Sequence, residues 1–221
     1  MSLWIKICAN TSLEDALLAV GAGADAVGFV FAPSPRRVTA AQVAAITPHL
    51  PATAEKIGVF VDAALDEIEA TVRACGLTGV QLHFNAEPEL PALLRERLGP
   101  EIRTLRVVHF GAGDLVASEI ARHAGNPHVD GVLVDSRTAT AVGGTGVAFD
   151  WIEARKTVFG EAGRLKLIAA GGLSPANVAE AIEALRPWGV DVVSGVEAAP
   201  GRKDPDKVRE FIANARTAVR G

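Results

Sequence analysis

The sequence predicts a (β/α)8 TIM barrel of the phosphate-binding type. Apolar runs and amphipathic helical stretches alternate eight times along 221 residues, a mean spacing of about 27 residues that suits this fold. The strand candidates are continuous apolar runs, as a parallel sheet covered by helices requires. The last two, Leu165 to Ala170 and Val190 to Val193, end in small residues, Gly171-Gly172 and Ser194-Gly195. Small residues let a phosphate approach the backbone, and the helix starts that follow offer free N–H groups and partial positive charge. In barrels the phosphate site commonly lies after strands seven and eight. Glycine is common in ordinary strand-to-helix turns too, so a purely structural reading stays open. A doubly wound open sheet is the competing architecture, and it accounts less well for paired grips at the end of the chain.

The remaining elements follow in order. Leu3 to Cys8 reads as a buried strand. Thr11-Ser12-Leu13-Glu14-Asp15 has capping-box spacing from either hydroxyl, and Leu13, Ala16, Leu17 and Val20 form the apolar stripe of the helix it opens. Gly21 and Gly23 stop that helix. Strands are expected at Ala26 to Phe31, Lys56 to Val61, Gly79 to His83, Ile102 to Val108 and Gly131 to Val134. Thr39 with Gln42 opens a second helix that ends near Pro48. Helices at Leu65 to Ala74, about Pro88 to Leu98 and about Asp114 to His123 come next, with another from near Ala148 after the long loop Ser136 to Gly146. Ser174-Pro175 supplies an N-cap and a first-position proline, and Asp204-Pro205 does the same for the last helix. No linker or composition shift divides the chain, so residues 1 to 221 are expected to form one barrel domain.

Composition narrows the function. With 22 basic and 26 acidic side chains the net charge is −4, which argues against a nucleic-acid binder and against a polybasic membrane contact. The two cysteines, Cys8 and Cys75, make no disulfide framework. MSLWIKICAN lacks a long apolar core with a cleavage site, and no apolar run is long enough to span a bilayer. A cytoplasmic protein that takes an anionic small molecule is the expectation, as a monomer or a homodimer.

Reactive groups in such a barrel sit at the C-terminal ends of strands. Those ends supply Cys8, the Arg36-Arg37 loop, Asp62, Gln81 with His83, His109 and Asp135. A thiol serves as a general base if a nearby positive charge lowers its pKa; Cys8 can equally be a small buried hydrophobe. Asp135 follows Val132-Leu133-Val134 directly. A partly desolvated carboxyl can serve as an acid, and the same position suits a salt-bridge partner. His83 can bind substrate or be a structural histidine. Arg36 and Arg37 can clamp a carboxylate bidentately or lie on the surface. Cys75, at a helix end, reads as structural.

Lys6-Ile7-Cys8, Gly23-Ala24-Asp25-Ala26-Val27-Gly28-Phe29-Val30-Phe31 with Pro35-Arg36-Arg37, and Gly58-Val59-Phe60-Val61 occur in order. Val80-Gln81-Leu82-His83, Val134-Asp135-Ser136, Gly143-Gly144-Thr145-Gly146 and Phe149-Asp150-Trp151 follow. Ala170 to Val178, Val190 to Glu197 and Pro200 to Asp204 close the series. Over essentially the whole chain this ordered set resembles the phosphoribosylanthranilate isomerases of tryptophan biosynthesis.

The resemblance implies an Amadori rearrangement of N-(5-phosphoribosyl)anthranilate to 1-(2-carboxyphenylamino)-1-deoxyribulose 5-phosphate, with no metal and no organic cofactor. It assigns the general acid to Asp135, the general base to Cys8 and the anthranilate carboxylate to Arg37. It makes Gly171, Gly172, Ser194 and Gly195 the phosphate grip. Gln81 and His83 are the further substrate-binding candidates, and Asp191 is read as organising the end of the barrel. The Gly143 to Gly146 loop looks like a cover over the substrate. The family usually has glycine where Ala9 and Phe84 stand here.

Two alternatives compete with this reading. The related histidine-pathway isomerase would carry aspartate at the end of the first strand, and indole-glycerol-phosphate synthase would use lysines in the mouth, where the strand ends offer only Lys6. A non-catalytic or divergent sugar-phosphate-binding barrel is the alternative of another class. Retention of Cys8 and Asp135 beside a phosphate grip argues against it.

Overall fold

The computed structural model describes residues 3–83, 87–109, 115–135 and 165–219. Within them, β1 (Trp4–Ile7), β2 (Ala26–Val30), β3 (Glu55–Val61), β4 (Gly79–His83), β5 (Arg103–His109), β6 (Gly131–Asp135), β7 (Lys166–Ala170) and β8 (Gly189–Val192) close into a barrel in chain order. Every neighbouring pair is parallel, and the ring closes where Lys6 of β1 sits opposite Asp191 of β8. The helices described are α1 (Leu13–Gly21), α2 (Ala40–Ile46), α3 (Leu65–Cys75), α4 (Leu90–Leu98), α5 (Leu115–Ala124), α6 (Val178–Leu185) and α7 (Pro205–Ala218). The expected helix near Ala148, the Ser136 to Gly146 loop and Phe84 lie outside the described residues.

Local chemistry explains most boundaries. Ser12 caps α1 by accepting from the Asp15 N–H, and Thr39 with Gln42 forms a complete capping box on α2. Gly76 ends α3 in the left-handed conformation at φ 58°, the usual job of glycine there. Asp204 accepts from the N–H groups of Asp206 and Lys207 at the start of α7, with Pro205 in the first turn.

The end of the barrel corrects two expectations. The helix after β7 does not start at Pro175: residues 175–177 form turns and α6 begins at Val178. Asn177 is the reason. Its carboxamide accepts from the Ser174 N–H at 2.8 Å and donates to the Gly172 carbonyl at 3.0 Å, so it closes a loop before the helix winds. After β8 the chain makes a 3-10 turn at Ser194–Val196 and then a two-stranded hairpin, β9 (Glu197–Ala199) and β10 (Arg202–Lys203), before α7. Pro200-Gly201 makes the hairpin turn, with Gly201 at φ 81°. Proline followed by glycine marks such a turn in a sequence.

The barrel has two apolar layers. Outside the strands, Ile5, Ile7, Val27, Phe29, Phe60, Leu82 and Val190 pack against helix residues such as Ile68, Leu94, Ile182, Phe211 and Ile212. A separate cluster of Trp4, Ala26, Ile57, Leu105, Val107, Leu133, Ile168 and Ala170 gathers the inward-facing strand positions. Two residues further along β1 and β8 the inward positions turn polar, and this change of character locates the site.

Candidate active site

Period-two alternation places Trp4, Lys6 and Cys8 on one side of the first strand. Lys6 is wholly buried and Cys8 is 2% exposed. The Lys6 ammonium donates to the Asp191 carboxylate at 2.7 Å and to the Gln81 side-chain carbonyl at 2.9 Å. The Cys8 sulfur lies beside the Lys6 side chain, on the same side of β1. Gln81 in turn meets the His83 ring at 3.0 Å, and the His83 and His109 rings lie 6.1 Å apart. One hydrogen-bonded row thus crosses the barrel from β8 through β1 to β4.

Gly28 makes room for it. A Cβ there would fall 2.5 Å from the Cys8 sulfur and 3.0 Å from Lys6 Cε, so glycine on β2 is what lets sulfur and ammonium lie side by side. The backbone is also strained at this point. Ala9 stands at φ 60° and is buried. Alanine therefore adopts the left-handed conformation that favours glycine, at a cost of about 1–2 kcal/mol.

Burial pushes the Cys8 thiol above its ordinary value, the Lys6 charge pulls it back, and the Asp191 charge pushes it up again. Burial works against the Lys6 charge, yet Asp191 and Cys8 together hold its pKa above the usual lysine value.

Asp135 ends β6 and is buried. It lines one pocket with Ala170, Gly171, Gly172, Leu173, Asp191, Val192, Val193 and Ser194. Gly171 and Gly172 stand at φ 80° and 65°. Nothing would meet a Cβ at Gly172, so glycine there serves the backbone turn and leaves space open above it. Gly195 differs. A Cβ there would lie 1.9 Å from the Leu173 carbonyl oxygen. Its small size lets the β7 and β8 loops pack against each other, which is a structural demand in its own right.

The two arginines separate. Arg36 clasps Glu197 of the β9–β10 hairpin bidentately, with contacts of 2.8 and 2.6 Å. Burial opposes the Glu197 charge, but Arg36 and Lys203 hold its carboxyl below the usual range. Arg37, one residue on, is exposed at the mouth and has no ion-pair partner among the described residues. The residues alone left the pair undivided, and only the family resemblance singled out Arg37. The partner that distinguishes them lies 161 residues away, beyond any local signal. Lys6, two residues before Cys8 and so on its side of the strand, entered the sequence reading only as the one lysine a synthase could use.

Fold and loops define the class: a (β/α)8 barrel of the phosphate-binding type, with its polar groups gathered at the C-terminal mouth. A family model described as N-(5'-phosphoribosyl)anthranilate (PRA) isomerase matches residues 5–214. The N-(5'-phosphoribosyl)anthranilate isomerase of Myxococcus xanthus is 45% identical over 219 residues, covering 98% of each chain. That of Pelobacter propionicus is 45% identical over 213 residues, 96% of this chain and 95% of its own. The crystal structure of the Thermotoga maritima enzyme superposes with a TM-score of 0.83 at 36% identity, covering 97% of this chain and 99% of that one. A phosphoribosylanthranilate isomerase crystallised with reduced 1-(o-carboxyphenylamino)-1-deoxyribulose 5-phosphate superposes at 0.82 with 34% identity, again over 97% and 99%. The chain belongs to the N-(5'-phosphoribosyl)anthranilate isomerase family.

Proposed function

We propose that the protein performs the Amadori rearrangement of N-(5-phosphoribosyl)anthranilate in tryptophan biosynthesis, with Asp135 as acid and Cys8 as base. The observation that carries this reading is the shared pocket, in which the Asp135 carboxyl and both small-residue loops face one space. Asp135 gives its proton to the furanose ring oxygen. The bond from that oxygen to C1 breaks and an iminium ion forms at C1. The Cys8 thiolate then removes the proton from C2, and the electron pair of that C–H bond neutralises the iminium to give an enolamine. Tautomerisation gives the ketone, with no atom gained or lost. The iminium acidifies the C2–H bond, so a thiolate of moderate basicity is adequate.

Binding is divided among the other residues. Gly171, Gly172, Ser194 and Gly195 hold the phosphate. Arg37 holds the anthranilate carboxylate, which its exposed guanidinium is free to reach. Gln81 and His83 contact the sugar from β4. We also read residues 1 to 221 as one barrel domain, monomeric or homodimeric and cytoplasmic; among the described residues no helix is long and apolar enough to cross a membrane.

The test is turnover of Asp135→Asn, followed by loss of anthranilate fluorescence. We expect kcat to fall by about 10²–10⁴-fold, the usual worth of a general acid, with inorganic phosphate still competing for the site as in the unmodified protein. Near-normal turnover by Asp135→Asn would remove the acid from this scheme. An absence of competition by phosphate would remove the grip.

A further inference from the structure

The Lys6–Asp191 ion pair is buried, and such a pair is weak evidence of a gain in stability. An ammonium with no exposed surface costs several kcal/mol to desolvate, and an apolar side chain in its place would often serve the fold as well. Lys6 donates to Asp191 and Gln81, and the Cys8 sulfur lies beside its side chain. The charged groups that face that sulfur are Lys6 on β1, Asp191 on β8 and Lys203 on β10. Lys203 is drawn toward Glu197, 3.6 Å away, which Arg36 also holds. Lys6 is therefore the cation beside the sulfur, and Gly28 opens the space in which the two side chains lie together.

One ammonium faces two anions that compete for it. With the Asp191 carboxylate in place the pair is already neutral, and a thiolate adds a net negative charge to a dry interior. With Asp191 neutral, the thiolate itself would complete the pair. We propose that Lys6 is the positioning residue that favours the Cys8 thiolate when it forms, and that Asp191 opposes it by competing for the same ammonium. This rests on the reading of Cys8 as the base. It adds a consequence that reading does not contain: removing Lys6 and removing the Asp191 charge must shift the behaviour of Cys8 in opposite directions.

The experiment titrates the ultraviolet absorbance of the Cys8 thiolate in a Cys75→Ala background, beside the pH profile of kcat/KM. Lys6→Met should move the thiol titration, and with it the acid limb of the rate profile, upward by about one pH unit or more. Asp191→Asn should move both downward. Lys6→Met leaves the Asp191 carboxylate buried without its partner and can fail to fold, so Lys6→Met/Asp191→Asn is titrated as well. It should lie above Asp191→Asn alone. Folded variants with an unchanged thiol titration, or shifts of the same sign, would overturn the inference and leave Lys6 and Asp191 as scaffold. The two readings fail separately. If Cys8→Ala kept its turnover, the assignment of the base would fall, whereas the absorbance titration would still report whether Lys6 governs the sulfur.

Discussion

The two ends of this barrel use the same strands for opposite purposes. At the N-terminal end aromatic rings and opposite charges pack against one another. Trp4 stacks on Trp188 with ring centroids 5.2 Å apart, and Lys166 and Arg103 lie over the Trp188 ring at 4.7 and 5.5 Å. Trp4 Nε1 donates to Glu55, which also pairs with Arg103 at 2.5 Å. At the C-terminal end, charges are buried and the backbone is strained. Lys6, Asp191, Asp135 and Lys203 are buried there, and Ala9, Asp62, Gly171 and Gly172 take positive φ just past strand ends. Strain and buried charge weaken a fold unless the surroundings over-determine them. Here the floor of the barrel supports the pre-organised groups of the mouth, as expected where the chemistry occupies one face of a barrel.

The largest effect that can break this division is at the floor. Trp188→Ala removes the stack and both cation–ring contacts, and should cost about 3 kcal/mol. For a chain of this size that lowers Tm by roughly 6–12 °C. At temperatures where the variant is folded, kcat should stay near that of the parent. A large loss of kcat would mean that the floor and the mouth are not separable.

A smaller effect concerns acid. Burial, with Arg106 and Arg122 close by, pushes the His123 pKa down from 6.5 to about 4. The folded protein therefore binds fewer protons at this site than the unfolded chain between those values. His123 costs nothing above the unfolded pKa, and its penalty grows as pH falls from 6.5 toward about 4. Because the ring is partly exposed, that penalty should be on the order of 1 kcal/mol. His123→Gln should flatten the fall of Tm over this window and leave the pH profile of kcat/KM untouched. A change in the rate profile would tie this outer helix to the mouth.

The smallest effect sharpens the claim of strain. Ala9→Gly should raise stability by about 0.5–1 kcal/mol, the left-handed cost relieved less the greater freedom of glycine in the unfolded chain. A lower Tm would show that the Ala9 methyl contributes more by packing than its backbone loses.

Much of this was legible in the sequence because it is local. Continuous apolar strands, the Ser12, Thr39 and Asp204 caps and the paired glycine ends each carry their own signal within a few residues. Asp135 could be placed because it follows an apolar run directly. Ala9 stood out only because the family that the sequence resembles usually has glycine there. What stayed hidden depends on distant partners. Nothing near Arg36 announces Glu197. Nothing near Asn177 shows that its side chain will close the loop and delay the helix. The Lys6–Asp191 contact exists because β8 closes the ring against β1, and barrel closure is a property of the whole chain. Gly195 is instructive for another reason: its small size suited a phosphate, yet the Leu173 carbonyl alone would require it.

The most direct test of the account is the decay of anthranilate fluorescence from freshly prepared phosphoribosylanthranilate, with Cys8→Ala run beside the parent protein and spontaneous hydrolysis subtracted. Rapid decay with the parent and a rate lowered by about 10²–10⁴-fold in the variant, with Tm little changed, is the predicted result. Comparable decay in both would contradict the assignment of the mouth's chemistry to the Cys8 thiol.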